Sequence, residues 1–367
     1  METTVGFDII SFLQKAIKAG ASDVHLQVGE RPTLRIDGRI VRVDVPALTN
    51  EDISDIHDKL LPDSIRSKAD IIMDMDLAYE IPGVSRFRVN LNRQLGKGAV
   101  VIRTIPYNIK KVAELNLPES IEQFATLNNG MVLVTGPTGS GKSTTIAALI
   151  DYININYPKH IVTIEDPIEF MFTSKKSIVS QRQVGVDTES FPDGLKYALR
   201  QDPDVIFVGE IRDQETMAAA LKAAETDHLV LSTLHTNDAV QTINRIVNMF
   251  EESYRPFIRR QLAETLRATI AQKLVYSEAL KKRFPACEIM VVTSTIRDYI
   301  HKDDTDEIYQ LLKDNNFDNM ISMNASLADL VNKELITNEE AMANSNDEHE
   351  LEKIFRGVYQ GTKAYYD

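Results

Sequence analysis

Helical and strand-like patterns of apolar residues alternate through the N-terminal part of the chain. Apolar residues recur at helical spacing from Phe7 to Ala19 and again from about Asn50 to Ala69, and Gly20 ends the first of these patterns. The dipeptide Asp37-Gly38 separates two strand-like runs, which is typical of a hairpin. These patterns predict an α+β module with a mostly antiparallel sheet. Its predicted strands are Val24–Val28, Thr33–Ile36, Arg39–Val43, Asp76–Ile81, Ser85–Arg93 and Ala99–Ile105.

A different pattern follows a predicted linker that Pro106 and Pro118 delimit. From Glu119 onward, apolar runs of buried-strand length alternate with helical segments, which is typical of a parallel sheet with crossover helices. The predicted strands are Val132–Thr135, Ile161–Ile164, Val205–Val208 and Val230–Leu234. After about Ile289 the chain is polar, with predicted helices at Asp306–Lys313, Asn324–Asn332, Asn338–Asn344 and Glu348–Gly357. The stretch from Tyr359 to Asp367 gives no packing signal. We expect an α/β protein whose parts are residues 1–105, the linker 106–118, a core 119–290 and a helical region 291–367.

Composition and charge narrow the class of protein. The 367 residues are 43% hydrophobic and 26% charged, as in a soluble globular protein of two or three domains. The single cysteine, Cys287, excludes an intrachain disulfide and a cysteine-based zinc site, which fits a reducing cytosol. A net charge of −13 disfavours a nucleic-acid motor. Neither a signal peptide nor an apolar run of about 18 residues is predicted.

The strongest chemical signal is the phosphate-binding pattern G-x-x-x-x-G-K-[ST]. It begins at Gly136, ends at Ser143, and lies between an apolar strand-like run and a segment with helical spacing. In that context backbone N–H groups and the helix dipole face a phosphate, Lys142 neutralises its charge, and the Ser143 hydroxyl reaches Mg²⁺. We therefore expect a site for ATP or GTP. Its predicted binding residues are Gly136, Pro137, Thr138, Gly139, Ser140, Gly141, Lys142, Ser143 and Thr144.

Polar side chains also follow three of the predicted strands. Glu165 and Asp166 end one strand, Glu210 ends another, and His235 ends a third. Because functional groups of doubly wound folds gather at the carboxyl ends of strands, this set is suited to holding Mg²⁺ and orienting the attacking water. Taken singly, Asp166 and Asp238 could equally be helix N-caps. Together with the phosphate-binding pattern, the set favours nucleotide hydrolysis.

Arginines line one side of a predicted strand in the N-terminal module. From Arg86 to Arg93 the residues alternate, so that Phe87 faces one way while Arg86 and Arg88 face the other. The solvated face of a half-buried sheet would explain this pattern. Beside a nucleotide site, the same row could supply an arginine finger to a neighbouring subunit. Arg103 is a further candidate, and the residues alone do not choose among them.

In this order, the motifs resemble those of the type IV pilus retraction ATPases, the PilT and PilU proteins of the secretion-ATPase superfamily. The resemblance extends from about Phe7 to Leu335, and its matching segments are Gly20–Leu26, Arg86–Asn90, Val134–Thr145, Thr163–Glu169, Arg200–Arg212 and Ser232–Thr236. It implies a PAS-like N-terminal domain, a RecA-like P-loop ATPase domain, a homohexameric ring, and ATP with Mg²⁺ as ligands.

The resemblance also implies roles for individual residues. Glu210, in the Walker B segment, is the expected catalytic carboxylate, and His235 belongs to the His box. Glu165 is expected to assist at Mg²⁺ or at the attacking water. Arg88 and Arg103 are expected to complete a site between subunits. The residues expected at Mg²⁺, partly through water, are Ser143, Glu165 and Asp166.

Two segments depart from the family pattern. The family's Glu-Thr-Gly-His has Asp227 here in place of its glycine, and aspartate tolerates the left-handed conformation better than most residues. The family's retraction-linked segment Ala-Ile-Arg-Asn-Leu-Ile-Arg-Glu corresponds to Ser294–His301, which keeps Ile296, Arg297 and Ile300. This second departure leaves the choice between a PilT and a PilU role open.

On this resemblance we expect a cytoplasmic motor, peripheral at the inner face of the cytoplasmic membrane, that retracts type IV pili by pilin extraction and drives twitching motility. Its expected partners are an inner-membrane pilus platform protein and a PilT/PilU paralogue, but no nucleic acid. The nearest competing hypothesis is a pilus-assembly or type II secretion ATPase. Those relatives usually carry a four-cysteine zinc insertion near Gln272 to Met290, where this chain has only Cys287. Two further hypotheses are a RecA-like nucleic-acid motor and a regulatory ring with little turnover.

Overall fold

The computed structural model describes residues 7–36, 38–61, 74–105, 109–314 and 319–357. They form an α/β protein with two β-sheets, one in each of two compact units. The first unit comprises Met1–Asn108 with Glu169–Met171, and the second comprises Ile109–Ile168 with Phe172–Asp367. The parts of the sequence predictions that lie outside the described residues are Asp37 of the predicted turn, the helical stretch 62–69, Pro106 and the tail Tyr359–Asp367.

The first unit contains, in chain order, α1 (Ile9–Lys18), β1 (Ala21–Gln27), β2 (Thr33–Ile36), β3 (Arg39–Arg42), α2 (Asn50–Leu60), β4 (Asp74–Ile81), β5 (Ser85–Gln94) and β6 (Lys97–Ile105). Its six strands lie in the order β3-β2-β1-β6-β5-β4. Every neighbouring pair is antiparallel. The predicted antiparallel sheet is confirmed.

Capping residues determine where the two helices of this unit begin and end. Asp8 accepts hydrogen bonds from the backbone N–H groups at the start of α1, and Gly20, just after that helix, has φ +75°. Thr49 and Asp52 form a capping box at the start of α2. The local sequence thus sets the limits of both helices without help from the sheet.

Alternation along β5 decides which side of the first sheet is buried. Phe87, Val89 and Leu91 lie in a core that also contains the apolar faces of α1 and α2. The intervening Arg86 and Arg88 lie on the opposite side and are partly exposed. Burying one large apolar side chain is worth about 1.5–3 kcal/mol. A slip of one residue would bury the arginines in place of these side chains, so the register is strongly specified.

The second unit contains, in chain order, β7 (Gly130–Thr135), α3 (Lys142–Asn156), β8 (His160–Glu165), β9 (Ile178–Gln183), α4 (Phe191–Ala198), β10 (Val205–Val208), α5 (Gln214–Glu225), β11 (Leu229–Leu234), α6 (Ala239–Asn248), α7 (Arg255–Thr265), β12 (Leu266–Ser277), β13 (Lys282–Val291), α8 (Ser294–Lys302), α9 (Thr305–Asp314), α10 (Met323–Asn332), α11 (Asn338–Asn344) and α12 (Glu348–Phe355). Short 3-10 helices span Ala113–Leu115, Glu119–Thr126 and Glu252–Tyr254.

Seven strands form the sheet of this unit, in the order β13-β12-β7-β11-β10-β8-β9. Neighbours are parallel except β12 and β13, which form an antiparallel hairpin. Helices cover both faces, so β7, β10 and β11 are buried along their whole length. The four predicted strands and the four predicted C-terminal helices are confirmed, with small shifts of their ends.

The sequence patterns missed β9, β12, β13 and α8. β9 is a half-exposed edge strand of mixed polarity, so it lacks the apolar run of a buried strand. β12 begins at Leu266, directly after α7 ends at Thr265, so no turn residues mark the change from helix to strand. Within the predicted linker, Val112 and Leu117 are buried in the core of the second unit. The helices α10, α11 and α12 pack with the β12–β13 hairpin around a separate apolar cluster.

Among the helices that the structure describes, none combines the length and the apolar character needed to cross a bilayer.

Candidate nucleotide-binding and hydrolysis site

The carboxyl ends of four adjacent parallel strands form one edge of the second sheet. The strand order β7-β11-β10-β8 places the phosphate-binding loop, His235, Glu210 and Glu165 one after another along this edge, because each lies at or just beyond the end of its strand. The structure therefore brings together the groups that the sequence predicted to meet. We call this arrangement the strand-end edge.

Glycines shape the loop between β7 and α3. Gly136, Gly139 and Gly141 have φ values of +141°, +80° and +90°. A Cβ atom at Gly136 would collide with the carbonyl group of Gln272, and one at Gly141 would lie 2.8 Å from Gln272 Nε2. The positive φ values favour glycine at all three positions, and at Gly136 and Gly141 the neighbouring atoms also leave no space for a side chain.

Lys142 is buried inside this loop. Its Nζ donates hydrogen bonds to the carbonyl oxygens of Gly136 (2.8 Å) and Pro137 (3.0 Å). Among the described residues, the buried hydroxyl oxygens of Thr135 and Ser140 have no hydrogen-bond partner. Buried polar atoms are nearly always paired in proteins. Ser140 Oγ lies beside Gly136 in the loop, where a phosphate oxygen would accept from it. The loop therefore fits a phosphate ligand.

The remaining predicted phosphate-binding residues form the tip of the loop and the first turn of α3. Pro137, Thr138 and Gly139 are exposed at the tip, whereas Ser143 and Thr144 are half-buried in the first turn. The first N–H groups of a helix have no intrahelical carbonyl partner and carry the positive end of the helix dipole. An anion at this point would receive several N–H donors at once.

Gln272 of β12 contacts the loop, although the sequence did not single it out. Its Nε2 donates to the carbonyl oxygen of Ser140 (2.7 Å), and its Oε1 accepts from Thr145 Oγ1 (2.7 Å). β12 pairs with β7 through Ala271 and Thr135, which brings Gln272 beside the loop. The residue was missed because β12 was not predicted, so no pattern indicated that Gln272 lies next to β7.

Both carboxylate oxygens of Glu210 contact basic side chains. Arg212 Nη2 donates to Oε2 (2.7 Å), and His235 Nε2 lies 2.9 Å from Oε1. Burial alone would raise the pKa of Glu210, but the hydrogen bond from Arg212 and the charges of His235, Arg212 and Lys142 outweigh burial and lower this pKa. The same pairing raises the pKa of Arg212. An ionised carboxylate thus lies in the middle of the strand-end edge.

Glu165 is buried at the end of β8, and Asp166 beside it is exposed. Glu165 Oε1 accepts hydrogen bonds from Thr163 Oγ1 (2.7 Å) and Gln181 Nε2 (3.3 Å). No helix begins at Asp166, so the N-cap interpretation is wrong for this residue. The described part of the chain holds no group of three or more His, Cys, Asp or Glu side chains that could bind a metal ion. A Mg²⁺ held by nucleotide phosphates, water and a hydroxyl such as that of Ser143 needs no such group.

Other polar residues near the strand ends have structural roles. Asp238 accepts from the N–H of Gln241 (2.7 Å) at the start of α6, so the N-cap interpretation is correct there. Asp213 caps α5 through the N–H of Thr216 (2.8 Å). Asp227 has φ +59°, as predicted for the aspartate that replaces a family glycine.

The candidate arginine fingers lie side by side on the outer face of the first sheet. Arg88 of β5 and Arg103 of β6 are directly opposite each other. Arg103 Nε donates to Asp23 Oδ1 (2.9 Å), and Arg88 Nη2 lies 3.6 Å from Asp76 Oδ2. Burial opposes ionisation of Asp23, but hydrogen bonds from Arg103 and Ser22 outweigh it and lower the pKa of Asp23. Arg103 is therefore held by a hydrogen bond to a carboxylate of its own unit, whereas the Arg88 pair is longer and exposed to solvent.

Comparison with known proteins identifies the family. Residues 3–353 match the family described as Type II/IV secretion system protein. The "Type IV pilus retractation ATPase PilT" of Pseudomonas aeruginosa is 43% identical over 335 residues, which cover 91% of this chain and 97% of that protein. A twitching motility protein of Neisseria gonorrhoeae is 42% identical over 311 residues, which cover 84% of this chain and 83% of that protein.

A solved structure extends the comparison to the fold. The crystal structure of the pilus retraction motor PilT with bound ADP matches with a TM-score of 0.88 and 44% sequence identity, covering 95% of this chain and 99% of that chain. The ADP bound to that protein agrees with the phosphate-binding loop found here. The resemblance predicted from the motifs is confirmed: the chain belongs to the Type II/IV secretion system protein family and is a PilT/PilU-like secretion ATPase.

Proposed function

We propose that this protein is an ATP-hydrolysing motor that powers type IV pilus retraction by extracting pilins. The observation that carries the proposal is the contact of Glu210 with both His235 and Arg212 on the same edge as the phosphate-binding loop, an arrangement that lowers the pKa of its carboxyl. Hydrolysis of a nucleotide needs a carboxylate or another polar group that orients water beside the phosphate site. The names of the PilT and twitching motility relatives support pilus retraction as the work performed.

ATP binds with its phosphates against the loop from Gly136 to Thr144. Lys142 exchanges its two carbonyl partners for phosphate oxygens, because charge-assisted hydrogen bonds to anionic oxygens are stronger than bonds to neutral carbonyls. The hydroxyl of Ser140 gains the acceptor that it lacks. The preference for ATP over GTP rests on the relatives' description as ATPases.

Glu210 orients the attacking water. A carboxylate with a lowered pKa is a weak base, but phosphoryl transfer through a loose transition state needs positioning of the water more than early removal of its proton. Each carboxylate oxygen has about two acceptor sites, so the contacts with Arg212 and His235 leave room for a water molecule. His235, which lies between Glu210 and the loop in the strand order, acts as the γ-phosphate sensor.

Three residues at the same edge suit the Mg²⁺ that accompanies ATP. Bound Mg²⁺ would neutralise charge on the β- and γ-phosphates. Ser143 would offer its hydroxyl, and Glu165 and Asp166 would hold water molecules of the ion. The hydrogen bond from Thr163 to Glu165 supports this role, since it fixes the direction of the carboxylate.

The proposal includes the domain plan and the ring. Residues 1–105 form a PAS-like domain, 106–118 a linker, 119–290 a RecA-like core and 291–367 a helical region. Six copies form a homohexamer, in which Arg88 and Arg103 complete the site of a neighbouring copy. The hydrogen bond between Arg103 and Asp23 supports this role for Arg103, because a finger must be held in a defined direction to stabilise charge in the transition state.

In the cell, the motor works in the cytoplasm at the inner face of the cytoplasmic membrane. Closure of one domain on its neighbour, driven by nucleotide, turns an inner-membrane pilus platform protein. A PilT/PilU paralogue acts beside it, and nucleic acid is not a partner.

Deletion of the gene tests the proposal. Surface pili are counted per cell by electron microscopy and twitching is measured, with complementation by the wild-type gene and by a Lys142→Ala gene. We expect more pili and lost twitching, restored by the wild-type gene alone. Bald cells would mean that the motor assembles pili. Unchanged pili and twitching would point to a redundant paralogue or to another cargo, and nucleic-acid stimulation of its ATPase at several salt concentrations would then be measured.

A further inference from the structure

Gln272 uses both ends of its side-chain amide on the phosphate-binding loop. Its Nε2 donates to the Ser140 carbonyl and its Oε1 accepts from the Thr145 hydroxyl, each at 2.7 Å. The residue is only 2% exposed, so water does not compete for these bonds. Ser140 precedes Lys142 in the chain and Thr145 follows it. One buried amide therefore holds the two segments that flank the phosphate-binding lysine.

The bond to Ser140 sets the direction of a neighbouring donor. In a trans peptide, the carbonyl of one residue and the N–H of the next point in opposite directions. Because Gln272 holds the Ser140 carbonyl toward β12, the Gly141 N–H points away from Gln272. Gly141 has φ +90° and no room for a side chain on the Gln272 side, so the backbone itself lies against the amide.

The Ser140 carbonyl sets which end of the amide faces the loop, because a carbonyl oxygen only accepts, whereas the Thr145 hydroxyl can donate or accept. The carbonyl oxygen of an amide only accepts and its NH₂ group only donates. The NH₂ group is therefore the end that faces Ser140, and the Thr145 hydroxyl donates to Oε1. A flipped amide would put two oxygens against each other at Ser140. Both hydrogen bonds can therefore form in only one orientation of the Gln272 amide.

We propose that Gln272 is a positioning residue for nucleotide binding, which holds the peptide between Ser140 and Gly141 so that the Gly141 N–H donates to the β-phosphate. This inference rests on the proposed nucleotide site. Gln272 itself does not touch the nucleotide. Its effect is to supply the loop with one donor that is already aimed before ATP arrives, which lowers the cost of ordering the loop on binding.

Variants of the two partners test the inference. In Gln272→Leu the Ser140 carbonyl loses its donor, and we expect the Kd for ADP to rise about tenfold, as for one lost hydrogen bond to a charged group. Gln272→Glu should weaken binding more, because a carboxylate repels the Ser140 carbonyl. Thr145→Val leaves the donor to Ser140 in place and removes only the second contact of the amide, so a smaller rise, about threefold, is expected.

The control is Thr269→Val on the same strand. Thr269 is fully buried and its Oγ1 has no partner among the described residues, so its loss perturbs β12 without touching the loop. ADP binding is measured by calorimetry, hydrolysis by phosphate release, and stability by thermal unfolding without nucleotide. A positioning role predicts that KM rises in step with the Kd while kcat changes by less than about threefold, because the donor contacts the ground and transition states alike.

Two results would overturn the inference. The first is an unchanged Kd for ADP in a folded Gln272→Leu protein. The second is a rise in the Kd of Gln272→Leu that is no larger than the rise in Thr269→Val. If Gln272→Leu does not fold, an unchanged Kd for ADP in Thr145→Val overturns the inference instead. The Lys142→Ala variant distinguishes a failure of the inference about Gln272 from a failure of the proposed nucleotide site. If Lys142→Ala binds ADP normally, the nucleotide site itself lies elsewhere, whereas lost binding in Lys142→Ala with normal binding in Gln272→Leu refutes only the role of Gln272.

Discussion

Replacing Glu210 by Gln tests the proposed catalytic carboxylate with little change of shape. The new amide oxygen still accepts from Arg212, and its NH₂ group can donate to His235 Nε2 when that nitrogen is unprotonated. The Arg212 side chain is 73% exposed and the His235 side chain 44% exposed. Ion pairs this exposed are worth less than about 1 kcal/mol, so the variant should fold normally.

The effect on hydrolysis should be far larger than the effect on stability. The amide has no negative charge, and its NH₂ group cannot accept a hydrogen bond from water. Misplacing a reactant by about 1 Å can cost about 10² in rate, so we expect kcat to fall by about 100-fold when the water loses this partner. The Kd for ADP should change by less than about threefold, because Lys142 and the backbone N–H groups make the phosphate contacts.

Phosphate release by the purified protein measures the rate, and calorimetry with ADP measures binding. Glu215→Gln is the matched control, because Glu215 is an exposed carboxylate in the first turn of α5, outside the strand-end edge. That control should hydrolyse ATP at the wild-type rate. A Glu210→Gln protein that retained a rate within about threefold of the wild type would refute the reasoning, and the water would have to be oriented by another group, first of all Glu165.

Four further perturbations follow from the same structure. Lys142→Ala should abolish ADP binding, so the rise in Tm that ADP gives the wild type should disappear. Arg88→Ala should lower ring hydrolysis by about 10³-fold while ADP binding persists, and a normal rate would remove Arg88 in favour of Arg103. Leu133→Ala, in the buried centre of β7, should cost about 2–5 kcal/mol in urea unfolding. Burial raises the pKa of Glu288 from 4.5 to about 7, so its contribution to stability is complete below 4.5 and is lost as the pH rises through 7. The urea midpoint of the wild type should therefore fall between pH 6 and pH 8, and the fall should be smaller in Glu288→Gln. An equal fall in both proteins would contradict the raised pKa of Glu288.

Local patterns in the sequence were sufficient to predict most of the helices and strands. The alternation from Arg86 to Arg93 predicted the buried and exposed faces of β5, and the apolar run Val205–Val208 predicted β10 with its observed limits. The left-handed conformation of Asp227 was also expected from its residue type. Such features are local because backbone geometry sets the periods of helices and strands and the φ preference of each residue. The phosphate-binding loop belongs to the same class, since eight consecutive residues specify its glycines and its lysine.

The order of the strands in the second sheet does not follow from local sequence patterns. The edge on which Glu210 meets His235 exists because β11 lies between β7 and β10, although it follows both in the chain. Gln272 reaches the loop because β12 pairs with the other side of β7. Which strands become neighbours depends on how the helices cover both faces of the sheet, and therefore on apolar burial summed over the whole chain. The sequence by itself thus determined the elements and the chemistry available at their ends. Only the tertiary structure decided the order of the strands along that edge and the contacts that this order makes, because no local pattern carries a contact between residues far apart in the chain.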